Sequence, residues 1–138
     1  MSMESDLRSY VVADGTIMGL ISTRMYPQVL PQGVVYPAVR FYRASTDENR
    51  VFEGPGGKER ARVTIESWAE TYAEARSLAA AIRARIDGLA AIIGSGNTRV
   101  TSCYLDNEID ASDPEAGVIG TQGAYGVTQD YIIAHTNV

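Results

Sequence analysis

The chain of 138 residues holds few of the groups that most enzymes and metal proteins rely on. It has one cysteine, Cys103, and one histidine, His135. A lone cysteine excludes an internal disulfide and a cysteine-only metal cage. Lysine is almost missing: of the twelve basic residues only Lys58 is lysine. From Thr101 onward there is no basic residue at all. No apolar run approaches the roughly 20 residues a helix needs to cross a bilayer, so no membrane association is expected. The opening Met1-Ser2-Met3-Glu4-Ser5-Asp6 lacks the basic and apolar segments of a secretion signal. Together these absences lead to the expectation of a protein made and kept in a reducing cytoplasm.

What is present points to a globular chain. Hydrophobic residues make up 45% and charged residues 21%, outside the disordered range, and the length suits one domain, residues 1–138. Net charge is −5 but unevenly spread. The first hundred residues hold every base and are nearly neutral. The remainder carries Asp106, Glu108, Asp110, Asp113, Glu115 and Asp130 unopposed in sequence. The basic footprint of a nucleic-acid binder is therefore missing, and the arginine-rich, lysine-poor bias suits protein interfaces.

The best-specified stretch runs from Ala61 to Leu89. Ala61, Val63 and Ile65 alternate with Arg62, Thr64 and Glu66, the period-two pattern of a half-buried strand that Trp68 closes. Thr71-Tyr72-Ala73-Glu74 then spells a capping box. The helix it opens sets Ala75, Leu78, Ala79, Ile82, Ile86 and Leu89 on one stripe, with Glu74, Arg76, Arg83 and Arg85 off it. No reactive group sits at this junction, so function is sought in surfaces and assembly.

The rest of the chain is organised around that unit. Residues 4–21 read as helix through Leu7, Tyr10, Val11, Ile17, Met18 and Ile21, with a break where Asp14 can cap a second short helix. Prolines 27 and 31 and Gly33 make 24–35 an irregular connection. Residues 37–44 form a strand with Val39 and Phe41 on one side and Arg40 and Tyr42 on the other. Strands are also expected at 99–110 and 124–134, the last with Tyr125, Val127, Tyr131 and Ile133 on one face. Between them lie two loops, 45–59 and 113–123, far longer than a hairpin needs. The expected fold is α+β and two-layered: a four-stranded, mainly antiparallel sheet with two helices on one face and two long hairpin loops.

The candidate chemistry is thin. His135 stands near the end of the chain without an oriented partner. Cys103 lies inside a strand, where a free thiol is ordinarily a small buried hydrophobe. Gly54-Pro55-Gly56-Gly57-Lys58-Glu59 fails as a phosphate loop: no hydroxyl follows the lysine, and a strand, not a helix, comes next. Neither a catalytic set, nor a cofactor site, nor a metal site can be assembled. Asp106, Glu108 and Asp110 alternate, so they are expected to share one face of their strand. They could solvate that face, take a hard cation, or repel a passing polyanion at short range.

Several segments in combination resemble the tail terminator, or tail completion, family of long-tailed bacteriophages and phage-like gene transfer agents. They are Arg24-Met25-Tyr26-Pro27, Leu30-Pro31-Gln32, Tyr36-Pro37-Ala38-Val39, the run from Arg62 through Trp68 to Ala75, then Ala79-Ala80-Ala81-Ile82, and Asp130-Tyr131. The resemblance spans nearly the whole chain. It implies a non-enzymatic virion protein of the tail or neck, assembled in the bacterial host cytoplasm. Such a protein would form a hexameric homo-oligomer ring that closes the tail tube, stops its growth and meets the head connector or stopper protein, with DNA passing through. It also implies that the loops carry ring or tube contacts, which makes Asp47, Glu48, Arg50, Phe52, Lys58, Asp113 and Glu115 candidate interface residues. Asp106, Glu108 and Asp110 become candidates for facing the lumen. Another neck component, such as a head-tail joining or minor tail protein, and a small ligand-binding domain stand as alternatives.

Overall fold

The computed structural model describes residues 3–48, 59–94, 98–113 and 124–137. Two short helices come first, α1 (Met3–Val12) and α2 (Gly15–Ile21). The break falls at Asp14, whose carboxylate accepts the amide of Ile17 at 3.1 Å and so caps α2. Leu7, Val11, Ile17 and Ile21 are fully buried, whereas Met18 is half exposed.

Strands β1 (Met25–Pro27), β2 (Ala38–Glu48) and β3 (Glu59–Ala69) follow, then helix α3 (Tyr72–Ile86). Strands β4 (Ala91–Ile93), β5 (Thr98–Asp113) and β6 (Ala124–Asn137) complete the chain. The sheet order is β1-β2-β3-β6-β5-β4. All neighbours are antiparallel except β1, which runs parallel to β2.

The expectation of four strands and two helices is thus corrected to a mixed, curled six-stranded sheet with three helices. Both missed strands are three residues long and sit at the sheet edges. A segment that short shows no periodicity. Tyr26-Pro27 reads as a breaker, yet an edge is where a strand proline is tolerated. The long strands also reach further than expected. Glu48 pairs with Glu59, and Asp113 with Ala124, so both hairpins stay laddered well into the segments assigned to loops.

Helix α3 follows its sequence closely. Thr71 accepts the amide of Glu74 at 3.2 Å, and Ala75, Leu78, Ala79, Ile82 and Ile86 are buried, as is Leu89 just beyond the helix. Its stripe meets Leu7, Val11, Ile17, Ile21, Val63, Ile65, Tyr131 and Ile133 in one core between the helices and one face of the sheet. Along β6, Val127, Gln129, Tyr131 and Ile133 form the buried row, with Tyr125 at its exposed end. Gln129 inside that row is fully buried. Its Nε2 donates to the Ala79 carbonyl at 3.1 Å and to Glu108 at 2.8 Å, tying α3 to the sheet.

Candidate interaction face

Alternation along β3 divides the sheet into two faces. Ala61, Val63, Ile65, Ser67 and Ala69 turn toward the helices, while Arg60, Arg62, Thr64, Glu66 and Trp68 turn away. The register carries this division onto neighbouring strands, so Arg40 and Tyr42 of β2, Tyr104 and Ile109 of β5, and Asp130 and Ile132 of β6 stand on the same open face. Among the described residues no helix covers this face, and Tyr104 and Ile109 are about half exposed on it, at 49% and 54%.

The open face is built from paired charges. Arg40 grips Glu66 with two guanidinium nitrogens, lies 4.9 Å from the Tyr42 ring centre, and donates to the Gln28 carbonyl at 2.9 Å. Trp68 Nε1 adds a third bond to Glu66 at 3.0 Å. Glu66 is therefore a buried carboxylate whose oxygens are occupied, and its hydrogen bond holds the Arg40 pKa above the ordinary arginine value. Next along the face, Arg62 donates to Asp106 at 2.7 Å and lies 3.6 Å from Asp130, which accepts the Thr64 hydroxyl at 2.7 Å. Arginines 40, 60, 62 and 99 stand on this face with Glu66, Asp106 and Asp130. Sequence reasoning missed this network because it joins residues of β2, β3, β5 and β6, and only the register brings them together. The available signal was charge at successive outward positions of the β3 alternation.

The three alternating acids do not share a face. Leu105 pairs with Tyr131 and Asn107 with Asp130, which leaves Asp106 as the extra residue of a β-bulge. The bulge shifts the phase of the strand. Asp106 stays on the open face with Arg62, while Glu108 and Asp110 turn to the helix side. There Arg76 of α3 binds Glu108 at 3.1 Å and Asp110 at 3.2 Å, and the Tyr72 hydroxyl donates to Asp110 at 2.8 Å. Each of the three acids that looked unopposed in sequence thus meets an arginine in space, Asp106 through Arg62 and Glu108 and Asp110 through Arg76.

Of the loop candidates, Asp47 and Glu48 end β2 and Asp113 ends β5. Arg50, Phe52, Lys58 and Glu115 lie outside the described residues, as does the glycine-rich 54–57 segment.

Cys103 and His135 are buried on the helix side. Burial, aided by the Asp87 charge, pushes the Cys103 thiol up to about 12, which leaves no thiolate for nucleophilic chemistry. His135 lies 3.7 Å from Glu59, which accepts from Arg43 at 2.6 Å, and Arg43 in turn binds Glu4 of α1. Desolvation pulls the His135 pKa below its ordinary value, against the opposing pull of Glu59 and Glu4. A histidine held neutral by the fold binds its proton more readily when unfolded. Its contribution to stability is therefore complete above the unfolded pKa of about 6.5 and declines as pH falls toward the depressed folded value. Urea midpoints measured from pH 8 to pH 5 should fall with acidification, and more steeply in the wild type than in His135→Gln. Equal slopes would remove His135 as the cause. Among the described residues, no group of three or more His, Cys, Asp or Glu side chains is arranged to hold a metal ion, and no helix is long and apolar enough to cross a membrane.

Comparison with known sequences decides the family. Residues 5–134 match the family model described as "Tail completion protein gp17". The chain belongs to this tail completion family. It is accordingly a structural protein of a phage-type virion tail. Among solved structures, a chain from the "Virion of native gene transfer agent (GTA) particle" superimposes with a TM-score of 0.70 at 14% sequence identity. The alignment covers 99% of this chain and 96% of that one, so the two share one fold over essentially their whole lengths. No match was found among the curated proteins. For a tail completion protein, whose work is assembly, the relevant features are the open sheet face, its strand edges and the bases of the two hairpins.

Proposed function

We propose that this chain forms a homo-oligomeric ring, with six copies as the resemblance implies, on the head-proximal end of the tail tube. The ring stops tube polymerisation, docks to the head connector and lets DNA pass through its centre. The observation that carries the reading is the family match over residues 5–134. The uncovered sheet face with its paired charges suits it, because a surface of paired arginines and carboxylates can meet other protein subunits without a strong net field. Electron microscopy of particles lacking this chain tests the proposal. Tails of uncontrolled length, or tails unattached to heads, are expected, whereas normal-length tails beside filled heads would point to a head-tail joining protein instead. Normal-length, attached tails would overturn it.

Within that reading, the open sheet face borders the channel and Asp106 is the acid of the former trio that remains on it. Without it, its partner Arg62 would keep only the longer contact to Asp130, 3.6 Å away, as a counter-charge. Asp106→Asn should therefore leave the fold intact while making the face more positive, and DNA release or transfer should slow most at low ionic strength. Wild-type transfer at every salt concentration would take this face away from the channel.

A further inference from the structure

Two strand edges of this sheet are open, and they match one another. On β2, only residues 39–41 are paired by β1. The amide of Val39 and the carbonyl of Phe41 point to that side, bonded to Arg24 and Gln28. Continuing the alternation across the bulge between Arg43 and Ser45 turns the backbone groups of Arg43, Thr46 and Glu48 outward. On the far side of the sheet, β4 pairs only with residues 98–100 of β5. Below it the Cys103 carbonyl accepts from Gly88 and the Leu105 amide donates to Asp87. The same alternation carried past Asp106 turns the backbones of Glu108, Asp110 and Ser112 outward. Among the described residues, no strand pairs with either stretch.

An unpaired strand edge is a template for another strand, and folded proteins cover such edges or use them. The two edges here, 43–48 and 106–113, are six and eight residues long. In a ring, β2 and β5 of adjacent copies run in opposite directions, because β2 is antiparallel to β3, β3 to β6 and β6 to β5. The edges are also staggered. The middle of the β5 edge, Asp110, lies in the row of Val127, while the middle of the β2 edge, Ser45, lies in the row of Arg62 and Ile132. That offset of five positions along β6 is about 17 Å, across four long strands that span about 19 Å. A ring that closes without axial rise then needs a strand tilt of about 40°, inside the 35–45° usual for closed β-barrels.

We propose that neighbouring copies join by adding the 43–48 edge of β2 antiparallel to the 106–113 edge of β5 in the next copy. The strands β2, β3, β6 and β5 of every copy then run on into one continuous barrel around the channel. The short edge strands β1 and β4 fill the steps left by the stagger. This inference rests on the homo-oligomeric ring reading, and its test separates the two.

Thr46, Glu108 and Asp110 all occupy helix-side positions, so cysteines at facing positions across the joint would share a side. Particles assembled with Thr46→Cys combined in turn with Glu108→Cys or Asp110→Cys are oxidised and run on non-reducing gels. Microscopy checks in parallel that the ring is present. A ladder of multimers from at least one pair, and none from the single-cysteine variants, is expected. A ring that is visible but cross-links with no pair, or equally well with one cysteine, would overturn the edge-to-edge joint while leaving the ring. Absence of any ring in wild-type particles would instead remove the reading beneath it.

Discussion

Ile82→Asp should leave the purified chain without a cooperative unfolding transition at room temperature. Ile82 is fully buried at the centre of the α3 stripe, in the cluster that joins the three helices to the sheet. Removing the side chain forfeits about 1.5–3 kcal/mol of apolar burial. The aspartate that replaces it must either remain charged in the core or be protonated at neutral pH, and either adds several kcal/mol more. A domain of this size has about 5–15 kcal/mol of net stability in total. Far-ultraviolet circular dichroism against urea checks the outcome. A wild-type midpoint would mean that this face of α3 is not the core.

The second large effect is expected at a residue with no side chain. Gly94, which follows β4, has φ +70°, in the left-handed region that side chains disfavour. A Cβ built there would stand 2.2 Å from an Asp6 carboxylate oxygen and 2.6 Å from the Asp6 Cβ. Asp6 cannot easily yield: it is fully buried in α1, and its other oxygen accepts the Thr98 hydroxyl. Gly94→Val therefore meets two penalties, about 1–2 kcal/mol for the backbone and about 1–3 kcal/mol for overpacking. Denaturation should show a loss of about 2–5 kcal/mol. In an Asp6→Gly background, which removes the Asp6 Cβ as well as its carboxylate, the steric part is relieved, so a double-mutant cycle should give a coupling of more than about 1 kcal/mol. Strict additivity would separate Gly94 from Asp6.

These two positions also mark what could be read from the chain. Ile82 was legible because α3 and β3 each bury one face, and a single buried face writes a clean period into the sequence. The break at Asp14 was legible because capping is local chemistry. Gly94 was recognisable as a turn glycine, but not its contact with Asp6, which lies nearly ninety residues away. Glu66 and Gln129 broke the polar-outside expectation for the same reason. Arg40 and Trp68 occupy the Glu66 carboxylate, and Ala79 and Glu108 accept from the Gln129 amide nitrogen, so each side chain is held in place by partners. The single-face expectation for Asp106, Glu108 and Asp110 failed on one residue, since strict alternation assumes a register without insertions.

That one extra residue has a consequence for how the chain tolerates change. The proximal and distal halves of β5 are out of step, like two lengths of film spliced one frame apart. Deleting Asp106 would restore the step. Leu105 would then join Asn107 directly, and every position from Asn107 to Asp113 would keep its side and its β6 partner, with Ile109 on the open face and Glu108 and Asp110 beside Arg76. A single-codon deletion at this one position therefore spares the ladder and removes only the Arg62 contact, whereas the same deletion in a strand without a bulge would turn its remainder over.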